Sequence, residues 1–411
     1  MIFLFGYSIH HSNPETNQEK FMKATKQTLF LSFTSVLICV LSISCSPKKE
    51  YDIVIEDVKF FDGFKSFEHA TIYIQHGLVA KIDTTASPID GNYKELIQGS
   101  NKTLIPGLIN AHAHPQNRND LSVSAKAGIL TVMEMLRIVE DSIPVFKSLG
   151  EQSSYANYYS AGIGADMPNA VIQFYIQKPN PWAIQTKKEV SEFLADRKKS
   201  KVDFIKIFQD SRLPERFSDS IFDELILETH KNKLLAVCHS EVLRDARFEF
   251  HHQADIIAHG WVDSMITTEE LNKWKQRDFY VIPTLLLHVK VKNSVNTKSY
   301  TLTEEQMVAE IGRLHKAGIN ILAGTDAPAD NLNFSTDFYN ELALYQKAGI
   351  PPIEVLKTAT SNPAKAFKLV DIGLIKEGML ANLVLVNGDV LSNIQNLHQT
   401  AAVWKNGKRI K

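Results

Sequence analysis

Short apolar runs alternate with longer helical stretches between Leu104 and about residue 371, and this alternation constrains the fold more than any other feature of the chain. The runs cover 104–110, 129–133, 158–163 (the weakest), 202–208, 234–238, 254–258, 279–285 and 319–323. Helical periodicity covers 187–199, 219–232, 268–277, 304–317 and 335–348. Strands buried on both faces read as continuous apolar segments, and parallel neighbours need a crossover between them. Eight such units over this length predict an α/β fold, a closed (β/α)8 barrel.

The two ends of the chain read differently. From Tyr51, Ile53 and Ile55 alternate with polar neighbours, and 71–74 and 78–82 repeat the pattern around a His76-Gly77 turn. Near the other end, 381–386 and 402–410 are strand-like, with Asn406-Gly407 as a hairpin turn. The expected organisation is a barrel over 104–371 and a small composite β-sandwich built from 46–103 and 372–411.

Residues 1–45 are expected to lie outside the fold. Met22 opens a basic stretch, an apolar run follows from Leu29 to Ile43, and small Ser44 precedes Cys45. That run is too short to span a bilayer, and the pattern is that of a secretory signal peptide. Leu41-Ser-Ile-Ser-Cys45 resembles the lipobox of bacterial lipoproteins. The resemblance implies a lipid on the Cys45 sulfur and an extracytoplasmic, membrane-anchored protein in the periplasm or outer membrane. Met22 is the expected start, with 1–21 an upstream segment. The remaining cysteine, Cys238, leaves no disulfide framework in the body and reads as a small buried hydrophobe. A formal net charge of −1 supplies no basic field for nucleic acid or an anionic membrane surface.

Barrels of this kind carry their chemistry at the C-terminal ends of the strands. His112 and His114 stand there, one residue apart, after Pro106-Gly107 and before Pro115. Side chains at i and i+2 of a strand share a face, so both imidazoles can reach one cation. Lys206, His239, His259 and Asp326 end four further apolar runs, where packing alone favours another apolar residue. Taken singly, each is more simply a hydrogen-bonded strand-end residue; together they point to a metal site. Glu134 stands near the end of the second strand with no clear role. His288 is expected on a surface loop, and the charged stretch 196–201 at the solvated end of a helix. There is no G-x-S-x-G, and Gly162-Ile-Gly164 lacks the third glycine of a nucleotide-binding loop.

The chain resembles the amidohydrolase superfamily, in its imidazolonepropionase-like branch that includes Xaa-Pro dipeptidase-type enzymes. The resemblance rests on Pro106-Gly-Leu-Ile-Asn-Ala-His-Ala-His114, Asp203-Phe-Ile-Lys206, His239, Ala258-His-Gly260, Gly324-Thr-Asp326 and Asn362-Pro-Ala364, in the family's order. It implies a (β/α)8 barrel with a composite β-sandwich, and a metal-dependent hydrolase of carbon–nitrogen bonds in a small-molecule substrate. It implies that His112, His114 and Asp326 hold one divalent cation, zinc first among the candidates, and that His239 and His259 hold a second. Lys206, as its CO2-derived carbamate, would bridge the two around a shared hydroxide. Asp326 would act as base and then acid, so the expected catalytic residues are Asp326, Lys206 and His259.

With an unmodified, salt-bridged Lys206 the site would hold one cation through His112, His114, His239 and Asp326, leaving His259 for acid–base work. That is the pattern of a deaminase or cyclic amidase. A non-catalytic ligand-binding lipoprotein is the third possibility. The sequence departs from the family at Asn110, where aspartate is common, at Asp337-Phe-Tyr-Asn-Glu-Leu342 in place of His-x-Glu-Leu, and at Asn382 for aspartate.

Overall fold

The computed structural model describes residues 49–177, 180–294 and 299–411. The signal-like segment and Cys45 lie outside the described residues. Strands β1 (Glu50–Phe61), β2 (Ser66–Gln75), β3 (Leu78–Asp83), β4 (Asn92–Gln98) and β5 (Lys102–Pro106) come first. β1 pairs antiparallel with β2, Ile53 opposite Ile74 and Ile55 opposite Ile72, and parallel with β4 and β5. β4 is polar and mostly exposed, so it carries no hydrophobic alternation by which sequence reasoning could find it.

Eight strands of the parallel part follow: β6 (Leu108–Ala113), β7 (Ile129–Glu134), β8 (Asn157–Ser160), β9 (Ile205–Phe208), β10 (Ala236–His239), β11 (Ile256–Ala258), β12 (Tyr280–Ile282) and β13 (Asn320–Ile321). They form a three-stranded sheet, β6-β7-β8, and a five-stranded one, β13-β12-β11-β10-β9, with every pairing parallel. Main-chain hydrogen bonds also link the segments that follow β8 and β13 to β9 and β6. Ala165 N donates to Lys206 O at 2.8 Å, and Ala111 N donates to Ala323 O at 2.8 Å. Ile109, Met133, Phe204, Val237, Ile256 and Leu322 form one fully buried cluster. This parallel α/β architecture is barrel-like, as the alternation required.

Several strands are shorter than the apolar runs that announced them. The run 279–285 is strand only to Ile282, and Leu285 already opens the helix Leu285–Ser294. Hydrophobicity reports burial, and a buried residue can sit past the end of a ladder as well as within it. At the other boundary, Lys102–Pro106 joins the large sheet and β6 starts only at Leu108. A Cβ at Gly107 would lie 2.6 Å from Leu130, so the crossing between the sheets needs a residue without a side chain.

Helices begin where side chains can satisfy their free N–H groups. Thr186 with Glu189, Thr267 with Glu270 and Thr303 with Gln306 are reciprocal caps at the starts of Lys187–Lys199, Thr268–Trp274 and Glu304–Ala317. The first of these helices corrects one expectation. Arg197, read as part of a solvated end, is 0% exposed. Its Nη2 donates to Glu140 Oε2 at 2.8 Å and Asp196 Oδ2 at 2.5 Å, and its Nη1 to Ile163 O at 3.1 Å. The guanidinium is carried inward on its aliphatic stem to a ready-made carboxylate pair.

The chain then returns to its beginning. β14 (Leu383–Asn387) pairs antiparallel with β5, Leu385 opposite Leu104, and with β15 (Thr400–Lys405), which turns through Asn406-Gly407 into β16 (Lys408–Arg409). Both turn residues have positive φ, +52° and +70°, as the hairpin requires. Strands from both chain ends thus share one eight-stranded sheet, β16-β15-β14-β5-β1-β2-β3, with β4 beside β1. Its core is Ile55, Phe60, Ile72, Leu104, Leu385 and Trp404. Among the described residues, no helix is long and apolar enough to cross a membrane.

Candidate metal centre

The six strand-end residues singled out in the sequence line a single cavity of about 600 Å³. His112 and His114 lie at the end of β6, and their shared direction follows from the strand's two-residue period. Asn110 ties this strand to the segment that carries Asp326. Its Nδ2 donates to Thr325 Oγ1 at 2.9 Å, and its Oδ1 accepts from the main-chain N–H of His112 at 3.2 Å and of Thr325 at 3.3 Å. An aspartate could only accept there; the amide both donates and accepts. Asp326 N in turn donates to His112 O at 2.8 Å. His259 and Asp326 both adopt left-handed backbone conformations, φ +70° and +65°. Such conformations cost energy in residues with a Cβ and gather where side chains must be aimed.

Asp326 Oδ1 is shared by two imidazoles, 3.0 Å from His112 Nε2 and 2.8 Å from His114 Nε2. The rings of His112 and His239 each approach that of His259, with centroids 4.6 Å apart. Ligand atoms of His112, His259 and Asp326 all lie within 4.8 Å of one another, as donors around one cation must. This closest trio draws from both of the groups expected to hold separate cations. Thr284 Oγ1 lies 3.0 Å from His259 Nδ1, which leaves Nε2 for the cavity, the arrangement that orients a metal-binding imidazole. Lys206 is 1% exposed, and its Nζ has no hydrogen-bond partner. The same is true of His239 Nε2 and His112 Nδ1. Buried donors and acceptors are ordinarily satisfied; the neutral imidazole nitrogens among these orphans suit a cation, whereas the ammonium of Lys206 does not unless it is neutralised or modified.

Burial sets the electrostatics. It holds the imidazole of His112 down at about 3 and that of His239 down at about 4, so both are neutral and able to donate a lone pair. Burial also lowers the Lys206 ammonium to about 8. Asp326 goes the other way. Burial alone would raise it, but His112 and His114 hold its carboxyl well below the usual range.

Two ambiguous residues are settled by their surroundings. His288, expected on a surface loop, lies inside the helix Leu285–Ser294, 2% exposed, with Nδ1 3.0 Å from Tyr300 Oη. The apolar run before it continues as helix, which turns the histidine inward. Glu134 is fully buried at the end of β7, where Tyr158 Oη donates to its Oε2. Burial raises its carboxyl to about 7. Glu341, within the stretch that departs from the family pattern, accepts the main-chain N–H groups of Leu285 at 2.9 Å and Leu286 at 2.6 Å. It therefore anchors the start of the helix that carries His288. Asn382 is also buried, its Oδ1 accepting the Asn406 N–H at 2.8 Å.

Nothing in the residue pattern marks the rest of the cavity wall. Leu136, Arg137, Val171, Ile172 and Phe208 line it, as do Glu241 and Leu287. Leu136, Arg137 and Glu241 stand on loops past strand ends, and Val171, Ile172 and Leu287 on helices that follow them, where no strand periodicity marks a residue as facing the cavity.

A model described as "Amidohydrolase family" matches residues 103–410. The chain belongs to the amidohydrolase family. It is a hydrolase of carbon–nitrogen bonds, of a metal-dependent family. Among characterised relatives, the 5'-deoxyadenosine deaminase of Methanothermobacter thermautotrophicus is 25% identical over 358 residues, 77% of this chain and 80% of that protein. The adenine deaminase of Lysinibacillus sphaericus is 21% identical, over 90% of this chain and 59% of its own length. The fold is shared with a Xaa-Pro dipeptidase solved with bound methionine, at a TM-score of 0.74 and 18% identity, covering 87% of this chain and 99% of that one. It is shared also with molinate hydrolase, at a TM-score of 0.75 and 18% identity over 88% and 95%.

Proposed function

We propose that the protein cleaves an amide-type bond of a small-molecule substrate at a centre of two divalent cations bridged by the carbamate of Lys206. The observation that carries this reading is the orphaned Nζ of Lys206, sealed in a cavity wall with four histidines and Asp326. A buried ammonium without a partner costs several kcal/mol, on the order of a lost ion pair. As the neutral amine it can take up CO2, losing one proton and forming an N–C bond, and then presents two anionic oxygens in place of one cation. Its depressed basicity, about 8, raises the share of neutral amine well above that of an ordinary lysine. His112, His114 and Asp326 would hold one ion, and His239 and His259 the other. The bound ions would polarise the scissile carbonyl and make water a nucleophile at neutral pH. The chain's own part is to position and to move a proton. Asp326 stays ionised beside His112 and His114, so it can accept a proton from water and return it to the leaving nitrogen. The apolar walls exclude competing water.

The five- and three-stranded sheets are read, within the same proposal, as one closed eight-unit barrel, and the eight-stranded sheet as a composite domain from both chain ends. Cys45 is proposed as a lipid-bearing anchor that holds the enzyme outside the cytoplasm; mass spectrometry of the mature N-terminus tests it, and an unmodified Met1 would refute it.

A second reading is favoured by one observation: the donor trio His112, His259 and Asp326 needs no lysine, although it would make His259 a ligand and not the acid–base group expected for a one-cation site. A single-cation deaminase or cyclic amidase would leave Lys206 unmodified. Elemental analysis separates the readings at about two ions per chain or one, and none would end both. Activity of the two-ion form should rise when reconstitution is carried out in bicarbonate. A panel of dipeptides, N-acyl amino acids, lactones, cyclic ureas and aminopurines then assigns the substrate.

A further inference from the structure

We propose that Arg137 is the anion-binding residue of this cavity, and that the substrate presents a carboxylate to it beside an apolar group. The substrate class rests on the hydrolase reading above, while the binding site stands on its own geometry. Arg137 follows β7 by three residues, lines the cavity and is 7% exposed. Its Nε and Nη2 are shut off from solvent with no hydrogen-bond partner. Its nearest carboxylate oxygen, Glu134 Oε2, lies 3.5 Å from Nε, beyond good hydrogen-bond length, and already accepts from Tyr158 Oη. The Phe146 ring covers one face of the guanidinium, 4.0 Å from centroid to Cζ. The planar fork is thus held in place with donors to spare.

Two other arginines of the barrel, by contrast, meet carboxylates at full hydrogen-bond length. Arg212, on the loop behind Glu241, donates to Asp210 Oδ2 at 2.7 Å and Glu241 Oε2 at 2.6 Å. Arg197 is spent on Glu140 and Asp196. A buried guanidinium kept short of acceptors is costly unless a ligand completes it, and a carboxylate matches the fork with two parallel bonds. Leu136, Ile138, Val171 and Ile172 surround the same part of the wall. A neutral polar substrate would leave both features unanswered; a carboxylate next to an aromatic or aliphatic group meets both.

The test uses N-benzoylglycine and N-benzoylglycinamide, which differ only in that anion, titrated calorimetrically into the full chain stripped of metal by chelation. No cation can then take the carboxylate. The wild-type protein should bind the acid at least about tenfold more tightly than the amide, the scale of a charge-assisted pair. Arg137→Gln should reduce the ratio below about threefold, and Arg137→Lys should keep an intermediate one. Equal affinities in the wild type, no binding of either compound at millimolar concentration, or an undiminished ratio in Arg137→Gln would each overturn the proposal. The wild-type comparison needs no variant, so an Arg137→Gln protein that fails to fold does not blunt it. If the ratio behaves as expected but no amide is ever hydrolysed by metal-loaded protein, the hydrolase reading falls and the Arg137 site remains.

Discussion

Among the described residues, two lysines are sealed from solvent, and their surroundings could hardly differ more. Lys405 of β15 is 0% exposed, and its ammonium donates to three main-chain carbonyls, those of Gly150, Gln152 at 3.1 Å and Tyr155 at 2.6 Å. Lys206 of β9 is 1% exposed and donates to none. The first is a rivet between the large sheet and the loop before β8, with every proton used. The second is stable in the fold only at a cost, which evolution has reason to tolerate where a guest completes the site. Burial alone therefore says little about a charged residue; its list of partners says whether it holds structure or waits for chemistry.

The contrast can be broken by exchange. Lys206→Met should abolish turnover, by about a thousandfold or more, if the proposed carbamate bridges two ions. The metal-free variant should melt at or above the wild-type temperature, because an unpaired buried cation has gone. A clear drop in melting temperature would place Lys206 with the rivets. Asp326→Asn should cost on the order of a thousandfold in kcat as well; near-normal turnover would remove it from proton transfer. Lys405→Met should do the opposite to Lys206→Met. It strands three carbonyls and should cost about 3–5 kcal/mol in denaturant unfolding while leaving turnover per folded molecule intact.

Glu134 sharpens the comparison from the acidic side. Burial raises its carboxyl from 4.5 to about 7, so the folded state binds a proton that the unfolded state has released across that window. Stability from this group is complete below about pH 4.5 and declines as pH rises through about 7, by roughly 3 kcal/mol at full ionisation. Unfolding curves of Glu134→Gln should lack that decline; a variant with the wild-type pH profile would show the carboxyl to be unperturbed. The smallest effect is expected at Thr284. Thr284→Val deprives His259 Nδ1 of its partner and should weaken metal binding about 10–100-fold, read by competition with a chelator, with little change in melting of the metal-free protein.

Much of the site was legible because its residues interrupt a pattern. His112, His114, Lys206, His239, His259 and Asp326 each stand where an apolar run should have continued, and the structure brings all six to one cavity. Arg137 interrupts nothing. It lies in an irregular loop, and only the fold shows that its fork reaches the cavity wall without acceptors. His288 and Arg197 were misplaced for the same reason. A polar residue beside an apolar run or in a charged cluster is read as exposed, yet Tyr300 and Glu140, 12 and 57 positions away, provide partners that draw them inward. Strand β4 escaped notice because an edge strand paired on one side needs no hydrophobic alternation.

By itself, the order of residues determined the parallel α/β architecture, the strand pairs at the two chain ends and the six strand-end side chains that meet in one cavity. All of these follow from local periodicity and from which residue ends each run. Tertiary structure alone decided which buried charges are satisfied, which donors are left over and what the cavity wall offers a substrate. Those properties depend on groups far apart along the chain meeting at hydrogen-bond distance, and no local pattern encodes a partner's absence.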